Sequence, residues 1–383
     1  MLDEKMKKQT APVLTVRNLN VTFQSRGQAV KAVRGVNLDV YPGEILGIVG
    51  ESGSGKSVTM KGVLGILPEN AAVSADALCL LGNEMTKLEE EEYRKLRGRV
   101  MTMIFQDPMT ALDPLMTVGN HMEEVLRRNA GLTSKAEIRR KSIEMLDKVG
   151  IPAPESRLKQ YPHEFSGGMR QRVLIAMALC CEPKLLIADE PTTALDVTIQ
   201  AQILDLLKDL EDQYHTSIVL ITHDMGVVAT VCQRVAIMYG GLIMETGTSD
   251  EIFYAPKHPY TKALLRAIPS TELKDGERLQ AIEGLPPSLI NPPAGCPFAD
   301  RCEYAQERCR TELPAYRSFS STHSAMCHLC TEDTGCAEKN GLHAEEPGCA
   351  EENSLGTKQL DCAEQLRETS GVHAAMQGKE ASV

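Results

Sequence analysis

The sequence has no apolar run that could cross a bilayer and no excess of positive charge. Its longest uncharged apolar stretch, residues 173–181, is far shorter than the roughly 20 residues that a membrane helix needs. Lys and Arg number 41 against 52 Asp and Glu, and this net charge of −11 argues against a general nucleic-acid binder, which needs a basic face. The first residues, MLDEKMKKQT, lack the apolar segment of a signal peptide. We therefore expect a soluble chain that stays on the cytoplasmic side of the membrane.

Much of the negative charge lies at the C-terminus. Residues 331–383 hold eleven acidic and four basic residues, a net charge of −7, which leaves −4 for residues 1–330. This segment has few large apolar residues, and we expect it to be disordered. It contains the triplet CAE three times, beginning at Cys336, Cys349 and Cys362. The triplets are either a degenerate repeat with a binding role or low-complexity sequence, and no function is assigned to them.

Apolar strands alternate with helical periodicity over the first 255 residues. The pattern predicts strands at 13–23, 36–40, 44–49, 185–188 and 217–221, and helices at 58–67, 120–128 and 134–149. This alternation favours an α/β core with a mostly parallel sheet, interrupted by a helical insert at about 110–165. Prolines become frequent after residue 255. We therefore predict a first domain over 1–255, a smaller appended domain over 256–330 and the acidic tail over 331–383.

The sequence GESGSGKS, residues 50–57, follows the apolar run EILGIV and precedes a helical segment, which is the context of a phosphate-binding loop. Its glycines let successive backbone N–H groups point at a phosphate, and the start of the helix adds its positive dipole end. Lys56 would supply charge to the β- and γ-phosphates, and the Ser57 hydroxyl would bind Mg²⁺. The alternative is a glycine-rich turn with no ligand.

The segment KLLIADEP, residues 184–191, is an apolar run that ends in two adjacent carboxylates. Ligands of α/β proteins bind at the carboxyl ends of strands, so Asp189 would hold Mg²⁺ and Glu190 would polarise the attacking water as general base. By itself such a run is more often a strand end that enters a surface loop. Ser166 stands at a predicted helix N-cap, and Gly167 and Gly168 leave the backbone open there for a second anion.

Six motifs in order resemble those of the ATP-binding-cassette ATPases. They are GESGSGKS (Walker A), IFQDP with Gln106 (Q-loop), FSGGM (signature), IADEP (Walker B), TALD with Asp196 (D-loop) and ITHD with His223 (switch loop). The resemblance implies a P-loop cassette with a mixed-sheet core and a helical subdomain. The signature departs from the family's LSGGQ at its first and last positions but keeps Ser and both Gly. Phe23 stands where the family often places an aromatic that stacks on adenine, and a core strand phenylalanine is the alternative.

The resemblance also implies a composite ATP site, in which the signature helix of a second ATPase subunit, identical or related, closes over ATP on Walker A. Gln106, Glu190 and His223 would be catalytic, and Mg²⁺ would be held by Ser57, Gln106 and Asp189. The family's motifs place fourteen residues at the nucleotide: Gly50, Glu51, Ser52, Gly53, Ser54, Gly55, Lys56, Ser57, Gln106, Ser166, Gly167, Gly168, Asp189 and Asp196.

The segments HPYT, residues 258–261, and 283–309 resemble the C-terminal extension on ATPase subunits of oligopeptide, dipeptide and nickel importers. This resemblance implies ATP-driven import of peptides across the bacterial cytoplasmic membrane. A nickel importer, or a soluble ABC ATPase unconnected with transport, is the alternative. The implied partners are transmembrane permease subunits and, indirectly, an external peptide-binding protein, with no nucleic acid. The implied location is the cytoplasmic face of the membrane.

Four cysteines of the appended domain are separated by five, six and seventeen residues: Cys296, Cys302, Cys309 and Cys327. Four thiolates suit tetrahedral Zn²⁺ or an iron–sulfur cluster, although the Cys-x-x-Cys of typical zinc sites is missing. Members of the resembled importer family carry a [4Fe–4S] cluster on this extension, so the resemblance implies one here. Zn²⁺, with His323 or His328, and free thiols are the alternatives. Four other cysteines are predicted to be core thiols: Cys79, Cys180, Cys181 and Cys232.

Overall fold

The computed structural model describes residues 11–25, 27–193, 195–268 and 282–330. The acidic tail over 331–383, with the prediction of disorder and the CAE triplets, lies outside this part of the chain. The described strands are β1 (Leu14–Ser25), β2 (Gln28–Val40), β3 (Ile45–Val49), β4 (Ala71–Ser74), β5 (Ala77–Leu80), β6 (Asn83–Glu84), β7 (Met101–Ile104), β8 (Leu185–Asp189), β9 (Ser217–Thr222), β10 (Arg234–Tyr239), β11 (Leu242–Thr248), β12 (Tyr316–Ser318) and β13 (Ser324–Met326).

The described helices are α1 (Lys56–Leu64), α2 (Glu90–Leu96), α3 (Pro108–Ala111), α4 (Val118–Ala130), α5 (Lys135–Lys148), α6 (Pro154–Arg157), α7 (Gly167–Leu179), α8 (Val197–Tyr214), α9 (Met225–Val231), α10 (Ser249–Tyr254), α11 (Pro259–Arg266) and α12 (Glu307–Thr311). Every strand and helix that the sequence predicts has a counterpart, and the largest difference is at β2, which begins at Gln28 although the predicted strand begins at residue 36. Among the described helices none is both long and apolar enough to cross a membrane.

The chain divides into two compact units. The first holds the residues up to 21 together with 34–46 and 57–221, and the second holds 22–33, 47–56 and the residues from 222 onward. Strands β1, β2 and β3 thus contribute residues to both units. This division does not test the predicted boundaries at residues 255 and 330, which stay predictions.

The first unit contains the parallel strands β7, β8 and β9. Ile104 pairs with Ala188, and Asp189 pairs with Ile221, so the carboxyl ends of the three strands lie at one edge. Every residue of β8 and β9 is buried, because parallel strands with both faces covered are apolar throughout. Strand β1 pairs antiparallel with β5 in the same unit, in a different sheet from β7, β8 and β9, so the strands are mixed in direction, as the resemblance implies.

The predicted helical insert forms α3, α4, α5 and α6, and its boundaries follow from local capping. Thr117 caps α4 by accepting from the backbone N–H of Asn120, and Gly131 ends that helix in the left-handed region at φ 70°. Ser134 caps α5 in the same way, accepting from Glu137. Helices α4 and α5 contact each other, and Met122 and Leu146 are buried on them.

The second unit contains a run of antiparallel strands. Strand β10 pairs with β11 with a register shift between Ile237 and Met238, and β13 of the Pro-rich extension adds to β11, with β12 next to it. The extension therefore adds two strands, β13 and β12, to the sheet that β10 and β11 form in the same unit. Tyr239 at the end of β10, Tyr260 on α11 and Phe298 form an aromatic cluster with ring centroids 4.5–5.6 Å apart.

A buried carboxylate on β11 holds the extension in place. Glu245 is fully buried and accepts from the backbone N–H of Lys257 at 2.6 Å and of His258 at 2.9 Å. Its other contact is the ring Nε2 of His323, 2.7 Å away, on a side chain that is 3% exposed. A buried charge is tolerated only when it is satisfied in this way. Glu245 thus connects the start of α11 and the approach to β13.

We predict that Glu245→Ala destabilises the chain strongly, since it leaves two buried N–H groups and His323 without their acceptor. The free energy of unfolding should fall by about 3 kcal/mol. Urea denaturation followed by circular dichroism measures the loss. Glu144→Ala is the control, because Glu144 makes half-exposed pairs with Lys148 and Arg140 and should change stability by less than about 1 kcal/mol. Equal losses in the two variants would contradict the assignment.

Candidate functional site

The phosphate loop connects β3 to α1, as its sequence predicts. Lys56 is 5% exposed, and its ammonium donates to the carbonyl oxygens of Gly50 at 2.7 Å and Glu51 at 2.9 Å. The loop therefore folds around its own lysine and carries a buried positive charge at the start of a helix. A positive charge beside a helix N-terminus is suited to an anion such as a phosphate.

The three glycines of the loop are required for different reasons. A Cβ on Gly50 would lie 2.0 Å from the carbonyl oxygen of Met238, and one on Gly55 would lie 2.5 Å from that of Ala32. Backbone packs directly on backbone at both positions, so no side chain fits. Gly53 has φ +77° but no atom within 4 Å of its Cβ position. It is needed for its left-handed conformation, and its face of the loop stays open.

Ser54 gives the loop an unused hydrogen-bonding group. Its hydroxyl is buried and has no hydrogen-bond partner, while its backbone donates to Glu51 and accepts from Gly241. A buried polar group without a partner costs about 1–3 kcal/mol, which a bound ligand can recover. The unpartnered Ser54 hydroxyl is therefore suited to bind a polar ligand in the loop.

The serine and the first acidic residue meet at the end of β8. The Ser57 hydroxyl donates to the Asp189 carboxylate at 2.6 Å, and Asp189 is 1% exposed. A hydroxyl and a carboxylate at this distance are hard oxygen ligands of the kind that Mg²⁺ prefers. The sequence predicts that these two residues share a metal, and the structure places them in contact.

The second acidic residue is held in a rare backbone conformation. Glu190 has φ +46°, and its N–H donates to the carbonyl oxygen of Ile221 at 2.9 Å. Its carboxylate accepts from the Gln106 amide and from the Thr193 hydroxyl, both at 2.9 Å. Non-glycine residues with positive φ carry strain of about 1–3 kcal/mol and cluster at functional sites. Thr193 is not among the predicted site residues, although it is the first residue of the TALD motif and lies three residues after Glu190.

The predicted signature segment forms the N-terminus of α7. Ser166 caps the helix by accepting from the backbone N–H of Met169 at 3.3 Å. A Cβ on Gly168 would lie 2.6 Å from Ile199 Cγ2, whereas one on Gly167 would meet nothing closer than 3.7 Å. Gly168 is therefore required for packing against α8, and Gly167 leaves the helix start accessible. Asp196 caps α8, accepting from Ile199 N–H at 2.9 Å.

Besides residues 50–56 of the phosphate loop, two more predicted nucleotide contacts belong to the second unit. His223 lies between β9 and α9, beside Asp224, which caps α9 by accepting from the backbone N–H groups of Gly226 and Val227. Phe23 lies in β1 and is half-buried. The roles of His223 at the γ-phosphate and of Phe23 at adenine stay predictions, as do those of Ser52 and the other predicted nucleotide contacts.

The four cysteines of the extension come together at one small pocket. Cys296, Cys302, Cys309 and Cys327 all line it, together with His258 and His328. Burial and the neighbouring thiols raise the pKa of Cys296 to about 12, so this thiol is neutral unless a cation binds. Among the described residues, however, no three His, Cys, Asp or Glu side chains are arranged to hold a metal ion. The predicted [4Fe–4S] cluster therefore has no preformed ligand set in this structure.

The remaining thiol and histidine predictions are partly corrected. Cys180 and Cys232 are buried as expected, but Cys79 and Cys181 are only half-buried, because Cys79 lies on β5 beside the exposed Glu84. His323 is bonded to Glu245 and is not a lining residue of the cysteine pocket. His328 lines that pocket, but its Nε2 contacts the carbonyl oxygen of Glu312 at 3.0 Å.

Comparisons with known proteins agree with this geometry. The family described as ABC transporter matches residues 33–193, and the family described as oligopeptide/dipeptide transporter, C-terminal region, matches residues 244–309. The dipeptide transport ATP-binding protein DppD of Bacillus subtilis is 52% identical over 318 residues, which are 83% of this chain and 94% of DppD. The oligopeptide transport ATP-binding protein OppD of Escherichia coli is 50% identical over 308 residues, which are 80% of this chain and 90% of OppD.

Solved structures give the same fold. The dimeric structure of MJ0796, a bacterial ABC transporter cassette, has a TM-score of 0.55 at 29% identity and covers 62% of this chain and 98% of its own. The chain cbiO1 from Clostridium perfringens has a TM-score of 0.55 at 28% identity, covering 64% of this chain and 92% of its own. The P-loop ATPase cassette fold is thereby confirmed. The chain belongs to the family of ABC transporter ATP-binding proteins that carry the oligopeptide/dipeptide transporter C-terminal region.

Proposed function

We propose that this chain is the ATP-hydrolysing subunit that energises the import of dipeptides or oligopeptides across a bacterial cytoplasmic membrane. The observation that carries the ATPase part is the contact of Ser57 with Asp189 at the end of the strand beside Glu190, held by Gln106. The peptide part rests on relatives that are named as dipeptide and oligopeptide transport ATP-binding proteins.

In this proposal each group of the site has a separate task. Lys56 and the N–H groups of residues 50–57 would bind the phosphates. Ser57 and Asp189, with Gln106, would hold Mg²⁺, which would supply positive charge to the phosphates. Glu190 accepts the proton of the attacking water as general base. Gln106 and Thr193 aim its carboxylate through their hydrogen bonds. His223 contacts the γ-phosphate from the switch loop.

The proposed active form is a pair of cassettes. Ser166, Gly167 and the N-terminus of α7 would close over ATP that is bound to a second ATPase subunit, so that two helix N-termini share the charge of the γ-phosphate. The open Cβ position of Gly167 supports this role, because a phosphate can approach the helix there. Permease subunits in the membrane would hold the pair at the cytoplasmic face, and an external binding protein would deliver the peptide.

We further propose that the cysteine pocket takes a [4Fe–4S] cluster, with Zn²⁺ as the alternative metal. The support is the shared pocket of Cys296, Cys302, Cys309 and Cys327 and the resemblance of the extension. The four cysteine side chains would have to move closer together to ligate the cluster. A bound cluster would add structural stability to a short, Pro-rich segment.

We predict that Glu190→Gln binds ATP as the wild type does but hydrolyses it about 10²–10⁴ times more slowly, since the general base is lost. Phosphate release at saturating MgATP and equilibrium nucleotide binding measure the two effects. Glu182→Gln is the matched control, because Glu182 is another glutamate at positive φ, 58% exposed and paired with Lys141. Normal turnover of the Glu190 variant would remove the general-base role.

We predict that protein purified without oxygen is brown and contains about four irons per chain, and that Cys302→Ser loses the colour and the iron. Visible absorption and metal analysis measure both. Cys79→Ser, at a half-buried thiol outside the pocket, should keep its iron. A colourless wild-type protein with one zinc per chain would replace the cluster by Zn²⁺, and a metal-free protein would leave free thiols.

We predict that a bacterial strain that lacks this chain loses growth on a required amino acid supplied as a dipeptide or oligopeptide. The wild-type gene should restore growth and the Glu190→Gln variant should not, because uptake needs hydrolysis. Loss of nickel uptake with normal peptide uptake would indicate the nickel alternative. Normal uptake of both would favour a soluble ATPase that has no role in transport.

A further inference from the structure

The phosphate loop has contacts that the proposed ATPase chemistry does not use, and they come from the C-terminal extension. The carboxylate oxygens of Glu51 both lie 2.9 Å from Nη1 of Arg301. The backbone N–H of Glu51 donates to the Tyr260 hydroxyl at 3.2 Å. The second residue of the loop is therefore held at its backbone and at its side chain by residues that lie 209 and 250 positions away in the sequence.

Arg301 is itself held by three further hydrogen bonds. Its guanidinium also donates to the Tyr239 hydroxyl at 2.9 Å, to the Ile282 carbonyl oxygen at 3.0 Å and to the Glu283 carbonyl oxygen at 2.8 Å. The side chain is 7% exposed. Each guanidinium nitrogen thus has a partner, and a buried, fully bonded arginine is a preorganised donor to a carboxylate. A surface ion pair would have neither property.

Tyr260 is equally constrained. It is fully buried, and its ring packs against Tyr239 and Phe298 with centroid distances of 4.5 and 5.2 Å. Since the ring cannot move freely, the hydroxyl oxygen is a fixed acceptor for the Glu51 N–H. Tyr260 belongs to the HPYT segment, whose chemistry by itself predicts only a turn before a helix.

The position of Glu51 determines the geometry of the rest of the loop. Its carbonyl oxygen accepts from the Lys56 ammonium at 2.9 Å and from the Ser54 N–H at 3.2 Å. A rotation of the Glu51 peptide would therefore displace the lysine that is proposed to bind the phosphates. Arg301 and Tyr260 hold the residue on which that lysine depends.

We propose that Arg301 and Tyr260 are positioning residues for the phosphate loop. By holding Glu51 they keep the loop in its nucleotide-binding conformation and raise the affinity for ATP without touching the nucleotide. The extension then contributes to ATP binding through Arg301 and Tyr260, in addition to any contact it makes with other subunits. This inference rests on the proposed ATPase function.

The inference predicts a specific kinetic pattern. When only a fraction of the molecules has a competent loop, the apparent dissociation constant rises by the inverse of that fraction. Hydrolysis of bound ATP depends on Glu190 and Gln106, which these contacts do not involve. Loss of the Arg301 contact should therefore raise the dissociation constant and KM together and leave kcat unchanged.

The test uses the full chain with Arg301→Gln. We expect MgATP to bind about tenfold more weakly by calorimetry, with KM raised to match and kcat within about twofold of the wild type. Arg310→Gln is the matched control, because Arg310 pairs with Asp300 in the same segment but is 50% exposed. That variant should bind ATP as the wild type does.

A double-variant cycle separates positioning from simple destabilisation. The two single variants, Glu51→Gln and Arg301→Gln, are compared with the double variant. If Arg301 acts through Glu51, the double variant should bind ATP no more weakly than whichever single variant has the lower ATP affinity. Tyr260→Phe keeps the buried ring and removes only the hydroxyl acceptor, so it should weaken ATP binding a few-fold. This variant replaces Arg301→Gln in the test if the Arg301 variant does not fold. Wild-type affinity in both Arg301→Gln and Tyr260→Phe, or a fall in kcat at constant affinity, would overturn the inference. A wild-type chain that neither binds nor hydrolyses ATP would instead overturn the proposed function.

Discussion

The close contact of backbone with backbone under the phosphate loop is the constraint on which the site depends. The Cβ positions of Gly50 and Gly55 are filled by the carbonyl oxygens of Met238 and Ala32, so the loop has one way to lie. Lys56 is then enclosed by the loop's own carbonyl groups. Residues of β2 and β10 thus determine the conformation of the loop. The extension adds the contacts of Tyr260 and Arg301 to Glu51. A loop held in this way loses little conformational freedom when a phosphate binds.

The two acidic residues at the end of β8 have separate sets of contacts. Asp189 continues the buried strand and contacts Ser57, whereas Glu190 turns into the left-handed region and contacts Gln106 and Thr193. Two neighbouring carboxylates thereby reach different partners, which allows one to serve a metal and the other a water molecule. The positive φ of Glu190 is the backbone cost of that separation.

The sequence predicts the local parts of the molecule well and the long-range contacts poorly. The loop at 50–57, the buried strand that ends at Asp189 and the cap at Ser166 follow from patterns within a few residues, and the structure confirms them. Arg301 and Tyr260 were not predicted to reach Glu51, because nothing near them in the sequence points to a residue 200 or more positions away. The alternation of strands and helices indicates parallel strands, whereas the antiparallel pairing of β1 with β5 is not visible in either strand alone. The cysteine spacing predicts a metal or cluster site, and the four thiols line one pocket, but among the described residues they are not arranged to hold a metal ion.

The central claim is that the phosphate loop and the extension respond to nucleotide as one unit. Amide hydrogen exchange of the full chain, with and without Mg²⁺ and a non-hydrolysable ATP analogue, measures this most directly. The account predicts that nucleotide slows exchange in the loop at residues 51–56 and also in the segment of the extension that carries Tyr260, at residues 258–266. Protection confined to the loop, with unchanged exchange in the extension, would contradict it.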